Sequence, residues 1–138
     1  IGQFEKTEET DFINGACVII RREVFEKVGL LDASFFLYWE DADFSMRVKK
    51  NGYKVVYFPK THVWHKVSVS AGGSGSFSND YFLTRNRLTF AMRYAKVKTK
   101  LAVIKDTIKL IIFGRTWQKW GAIDALLGRK EQGQWKHH

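Results

Sequence analysis

The feature that most constrains this chain is a run of large apolar residues, Phe35-Phe36-Leu37-Tyr38-Trp39, that leads without a spacer into two carboxylates, Glu40-Asp41. So much aromatic surface in one place is too concentrated for a solvated loop; it has to be covered by a core or line a binding surface. The acids open a helical pattern in which Phe44, Met46 and Val48 face inward, Arg47, Lys49 and Lys50 face out, and Asn51-Gly52 closes the helix. Acids at its start and bases at its end suit the helix dipole. As helix-start acids, Glu40 and Asp41 need no function beyond capping. As chemistry, they place a proton acceptor beside an aromatic wall on which a sugar could stack. Sugar transfer needs that acceptor, because a hydroxyl is a poor nucleophile until its proton is removed.

Upstream, Phe12 to Ile20 is apolar and rich in β-branched residues except at Asn14-Gly15, which predicts a buried strand. Arg21 to Val28 predicts a short helix ended by Gly29. Downstream, Lys54 to Phe58 reads as a strand broken by Pro59, Thr61 to Val69 as another extended segment, and Ser70 to Ser76 as a mobile Gly/Ser loop. Helices are expected over Asn79 to Tyr94, Lys98 to Phe113 and Thr116 to Leu127, the last two with Gly114 and Gly128 beside their ends. In the first of these, Phe82, Leu83, Asn86, Phe90 and Tyr94 lie close in phase. The chain divides on this reading into a mixed α/β part, residues 1–96, and a basic amphipathic helical tail, residues 97–138.

With 138 residues, 45% hydrophobic and 15% aromatic, there is ample material for one packed domain. The 23 Lys+Arg against 14 Asp+Glu give a net charge of +9, which attracts phosphate-rich partners: nucleic acid, an anionic bilayer or sugar diphosphates. The aromatics cluster beside acids rather than among lysines, which argues against nucleic acid. The single cysteine, Cys17, cannot build a disulfide framework and fits a reducing, cytoplasmic setting. The start, Ile1-Gly2-Gln3-Phe4, has neither an initiator Met nor a signal-peptide core and reads as a cut end. In the tail, Leu101, Ile104, Ile108, Ile111 and Ile112 share a phase, with Lys98, Lys100, Lys105 and Lys109 around them and Trp117 and Trp120 following. The lysines interrupt this stretch too often for a membrane span, leaving two readings: an interfacial helix at the inner face of the plasma membrane, or a stripe packed on the domain.

The stretch from Asn14 to His65, NGACVIIRREVFEKVGLLDASFFLYWEDADFSMRVKKNGYKVVYFPKTHVWH, resembles the second half of the catalytic domain of family 2 glycosyltransferases, rhamnosyltransferase-like members in particular. In that family G-A-x-x-x-x-R-R precedes F-D-x-x-F-F-x-Y-x-E-D, a basic helix ends in N/G-G-Y/F, and a strand leads to a histidine. Leu31 departs from it, standing where many relatives have phenylalanine. The resemblance implies an α/β chain, the C-terminal half of a GT-A fold with a mixed sheet, followed by C-terminal helices. It implies that Asp41 is the catalytic base, Glu40 its supporting neighbour, and Tyr38 and Trp39 part of the acceptor wall. It implies further that His65 is a ligand to a divalent metal, Mg2+ or Mn2+, with His62 a packing or surface residue, and that Arg85 and Arg87 of Y-x-x-x-R-N-R bind a diphosphate.

The reaction so implied is inverting transfer from a nucleotide-sugar donor to a saccharide or lipid-linked acceptor, in cell-surface polysaccharide synthesis. The family's metal-binding Asp-x-Asp does not precede Asn14, and Asp41-Ala42-Asp43 belongs to the helix of the base. The resemblance therefore implies that the nucleotide-binding half is missing, that the metal is weakly bound or unbound, and that the chain alone is inactive. The competing reading is a non-catalytic basic module for anionic membrane or nucleic acid.

Overall fold

The computed structural model describes residues 5–65 and 76–133. Within them the chain gathers into two compact units, one of residues 5–32 and 40–65, the other of 33–39 and 76–133. This division differs from the expected boundary near residue 96, because the helix assigned there to the α/β part packs with the two that follow it. Of the expected Gly/Ser loop at 70–76, all but Ser76 lies outside the described residues.

The first unit holds β1 (Glu8–Glu9), α1 (Arg22–Val28), α2 (Glu40–Lys50) and β2 (Val56–Tyr57). The strands pair antiparallel, Glu8 opposite Tyr57 and Glu9 opposite Val56, and form the one sheet among the described residues. Its core is Val24, Phe44, Val48 and Val55, with Ile13, Ile20, Phe25, Val28 and Tyr53 packed against it. The rings of Phe25 and Phe44 lie 5.5 Å apart, joining α1 to α2. Gly29 (φ 83°) and Gly52 (φ 81°) take the left-handed conformation past the two helix ends, where a side chain would be strained. Arg47 braces the unit: it pairs with the buried Asp43 at 2.9 Å and donates to the carbonyls of Val28 and Leu30, both at 2.8 Å.

The strand expected over Phe12–Ile20 does not form. Its main-chain donors turn to side chains instead: Ile13 N–H to Ser45 Oγ (2.9 Å), Gly15 N–H to Asp41 Oδ2 (3.2 Å) and Ala16 N–H to Asn14 Oδ1 (3.0 Å). Side-chain acceptors have outcompeted a ladder. Thr61 to His65 is likewise irregular, so the sheet is smaller than the mixed sheet expected.

The second unit is helical: α3 (Phe77–Tyr94), α4 (Val97–Phe113) and α5 (Thr116–Leu126). Ser76 caps α3, its Oγ accepting from Asn79 N–H at 3.3 Å. Gly121 lets α5 approach α3 closely, since a Cβ there would stand 2.5 Å from the Tyr81 carbonyl oxygen. Tyr81 donates from its hydroxyl to the buried Asp124, which also pairs with Arg129 at 2.9 Å. Helix α4 buries Thr107 but leaves Val97, Leu101, Ile108, Ile112 and Phe113 exposed. No described helix is long and apolar enough to cross a membrane.

Candidate active site

The carboxylates stand at the first turn of α2. Asp41 is half-buried; its Oδ2 accepts from the Gly15 N–H, and its Oδ1 from the Ala42 N–H at 2.7 Å. One turn on, Ser45 donates to the Asp41 carbonyl (2.7 Å) while accepting from Ile13. The Asn14-Gly15 turn thus fixes the rotamer of Asp41 and leaves each carboxylate oxygen with a further lone pair for a proton. Glu40 differs from its neighbour. Its Oε2 is buried without a hydrogen-bond partner. Burial holds the Glu40 carboxyl above its ordinary pKa, opposed by a hydrogen bond from its own main chain and helped by the charge of Asp41. Asp43 is fully buried on Arg47, so Asp41-Ala42-Asp43 presents no second free carboxylate.

The aromatic run, residues 35–39, belongs to the helical unit. Phe35 is fully buried beneath the Arg93 guanidinium, Phe36 lies 5.1 Å from Phe82, and Trp39 lies 4.9 Å from Phe90, ring centre to ring centre. Phe36, Tyr38 and Trp39 all have positive φ, 62°, 64° and 75°. Each such residue costs on the order of 1 kcal/mol, so the conformation persists only if its surroundings hold it. Asn86 does the holding. Its Nδ2 donates to the carbonyls of Phe35 (2.9 Å), Leu37 (2.7 Å) and Tyr38 (2.8 Å), while its Oδ1 accepts from Arg85 Nε (2.8 Å). Arg85 adds donations to Phe35 O (2.7 Å), Ser34 O (3.2 Å) and Glu131 O.

Of the two arginines expected at a diphosphate, Arg85 is therefore 1% exposed and engaged by main-chain carbonyls. Burial lowers its pKa against the favourable influence of Tyr81 and Asp124, which expresses the cost of enclosing the cation. Arg87 is different: half-buried, its Nε without a partner, it lines an open cleft with Lys109 and Gln118. His65 is exposed at the end of the first described stretch, and His62 is exposed nearby. Among the described residues no cluster of three or more His, Cys, Asp or Glu side chains could hold a metal, so these residues alone do not fit one. Sequence reasoning missed Asn86 as a clamp and Gly15 as the partner of Asp41. The signal for Asn86 was present: a polar residue in phase with Phe82 and Phe90 on the apolar side of its helix.

A family model described as glycosyl transferase family group 2 matches residues 1–120. Among curated proteins, an N-acetylglucosaminyl-diphospho-decaprenol L-rhamnosyltransferase of Mycobacterium tuberculosis is 38% identical over 61 residues, 44% of this chain and 20% of that protein. The O-antigen biosynthesis protein RfbC of Myxococcus xanthus is 34% identical over 60% of this chain and 6% of its own length. The galactofuranosyltransferase GlfT2 of Mycobacterium tuberculosis is 31% identical over 60% of this chain and 13% of its own. The matched region thus spans a fifth or less of these three relatives. No solved structure matches the chain significantly.

Proposed function

The chain belongs to glycosyl transferase family group 2, and on that premise we propose that it supplies the base and the acceptor-side wall for transfer of a sugar from a nucleotide-sugar donor to a hydroxyl. The observation that carries this reading is the holding of Asp41 by Gly15 at the start of α2, which leaves a fixed carboxylate free to accept a proton. In the reaction, Asp41 takes the proton of the acceptor hydroxyl as its oxygen bonds to the anomeric carbon. The bond to the nucleoside diphosphate breaks with the electron pair leaving on phosphate oxygen. Attack opposite the leaving group inverts the anomeric centre. Tyr38 and Trp39 offer ring faces to the acceptor sugar, Glu40 supports Asp41 as its neighbour, and donor and metal contacts beyond His65 come from outside these residues. The diphospho-decaprenol acceptor named for the mycobacterial relative, together with a net charge of +9, favours a lipid-linked acceptor met at an anionic membrane surface during cell-surface glycan synthesis. The test is the configuration of the product. Enzyme carrying this chain, given nucleotide sugars of known anomeric configuration and a prenyl-diphospho-sugar acceptor, should yield only the inverted linkage by NMR; a retained linkage would overturn the single-displacement reading.

A further inference from the structure

Helix α4 presents three different sectors around its axis. At about 100° per residue, Val97, Leu101, Ile108 and Ile112 fall within a sector about 60° wide. Lys105, Lys98 and Lys109 fall in the next, and Phe113, Asp106 and Leu110 beyond them. The first sector is exposed, Leu101 63% and Ile112 60%. The third forms one wall of a cleft of about 410 Å³, which Arg87 of α3 and Gln118 of α5 also line. Phe113, 84% exposed, stands at its rim.

The chemistry of this cleft is that of an anion site. Arg87 and Lys109 bring two cations against one carboxylate, Asp106, and neither cation has an ion-pair partner among the described residues. The Nε of Arg87 is buried and donates to nothing. Arg87 as a whole is half-buried and lines the cleft, where a phosphate oxygen would accept a charge-assisted bond from its guanidinium. The oxygen of the Gln118 amide already accepts from the Arg115 N–H at 2.9 Å, leaving its NH2 group to donate.

Given the lipid-linked acceptor proposed above, we propose that this cleft receives the diphosphate of a prenyl-diphosphate-linked substrate, whose hydrocarbon chain lies along the exposed stripe of α4. The order of the sectors matches the layers such a ligand crosses: hydrocarbon against Leu101, Ile108 and Ile112, the membrane's anionic headgroups at Lys98 and Lys105, and the diphosphate at Lys109 and Arg87. A nucleoside diphosphate shares the phosphate chemistry but has no use for the stripe.

Farnesyl diphosphate is the probe, titrated into the whole chain by calorimetry beside UDP and farnesol. Farnesyl diphosphate should bind about tenfold more tightly than either comparison ligand, and Arg87→Gln should weaken it about tenfold, the scale of one charge-assisted bond. The paired change Ile108→Ser with Ile112→Ser should weaken farnesyl diphosphate but not UDP. These side chains are exposed or unpartnered, and unchanged circular dichroism and melting of the variants confirm that only the site has altered. Equal binding by the parent and Arg87→Gln would overturn the cleft. UDP bound as tightly as farnesyl diphosphate, with the isoleucine variant indifferent to both, would overturn the lipid. Because binding is read without transfer, either failure leaves the role of Asp41 standing, and a failure of Asp41 in the transfer assay leaves these titrations interpretable.

Discussion

In the unit that carries Asp41 the hydrophobic core is Val24, Phe44, Val48 and Val55, with Asp43 and Ser45 buried beside it, and the functional side chain is fixed from its rim by main-chain N–H groups. In the helical unit buried Phe35, Tyr81, Phe82 and Leu88 share the interior with the buried polar side chains Arg85, Asn86, Thr107 and Asp124, and it is Arg85 and Asn86 that hold the aromatic run. The two respond differently to damage. An apolar core loses stability with the volume removed, because neighbours relax partly into the gap. A buried polar network loses it by leaving donors and acceptors unmet, and one deletion orphans several groups at once. The helix bearing the carboxylate therefore depends on packed volume, and the aromatic wall on matched donors and acceptors, as its run of positive-φ residues demands.

The largest effect that could break this contrast is in the apolar unit. Phe44→Ala should cost about 3–5 kcal/mol in urea denaturation and speed amide exchange along α2. A loss near zero would mean that Phe44 does not anchor the helix bearing Asp41. Asn86→Ala should cost about 2–3 kcal/mol, since it removes the donor to the carbonyls of Leu37 and Tyr38 and the acceptor of Arg85 Nε, while Phe35 O keeps its bond from Arg85. It should also shift the indole resonance of Trp39 and, in active enzyme, raise the acceptor KM while leaving the donor KM alone. Asn86→Asp sharpens the point: it is nearly isosteric but turns an acceptor toward three acceptors, and it should be the worse of the two.

The smallest effect concerns Glu40. Burial raises its pKa in the folded state, so the folded protein binds this proton more tightly than the unfolded chain does. The contribution to stability is present below the ordinary carboxylate pKa and is lost as pH rises through the folded value. Glu40→Gln removes that penalty, so its melting temperature relative to the parent should climb as pH rises above the ordinary carboxylate range. A difference constant with pH would show that Oε2 is solvated.

Much of this architecture is legible locally. The helix ends at Val28, Lys50 and Leu126 follow from Gly29, Gly52 and Gly128, which take positive φ, and the end at Phe113 from the break in periodicity at Gly114, which stays at negative φ. The strands are legible only in part: β2 (Val56–Tyr57) lies within the strand expected over Lys54 to Phe58, whereas β1 (Glu8–Glu9) falls outside every expected strand. Phe12 to Ile20 has the composition of a strand, but its donors are met by Asp41 and Ser45, 26 and 32 residues away. The pair Glu40-Asp41 stands out from its aromatic flank, and the family resemblance makes Asp41 the base candidate. For the clamp, periodicity marks Asn86 as a polar residue on the apolar side of its helix but does not name its partners, because the carbonyls it meets lie 48 to 51 residues upstream.

Sugar transfer by Asp41→Asn and Glu40→Gln, measured side by side in the active enzyme with donor binding as the control, tests the central claim most directly. Removing a general base should lower turnover by about 10²-fold or more in Asp41→Asn, with donor affinity kept, while Glu40→Gln retains most of the activity. Near-normal turnover in Asp41→Asn, or the larger loss in Glu40→Gln, would contradict the assignment of the base.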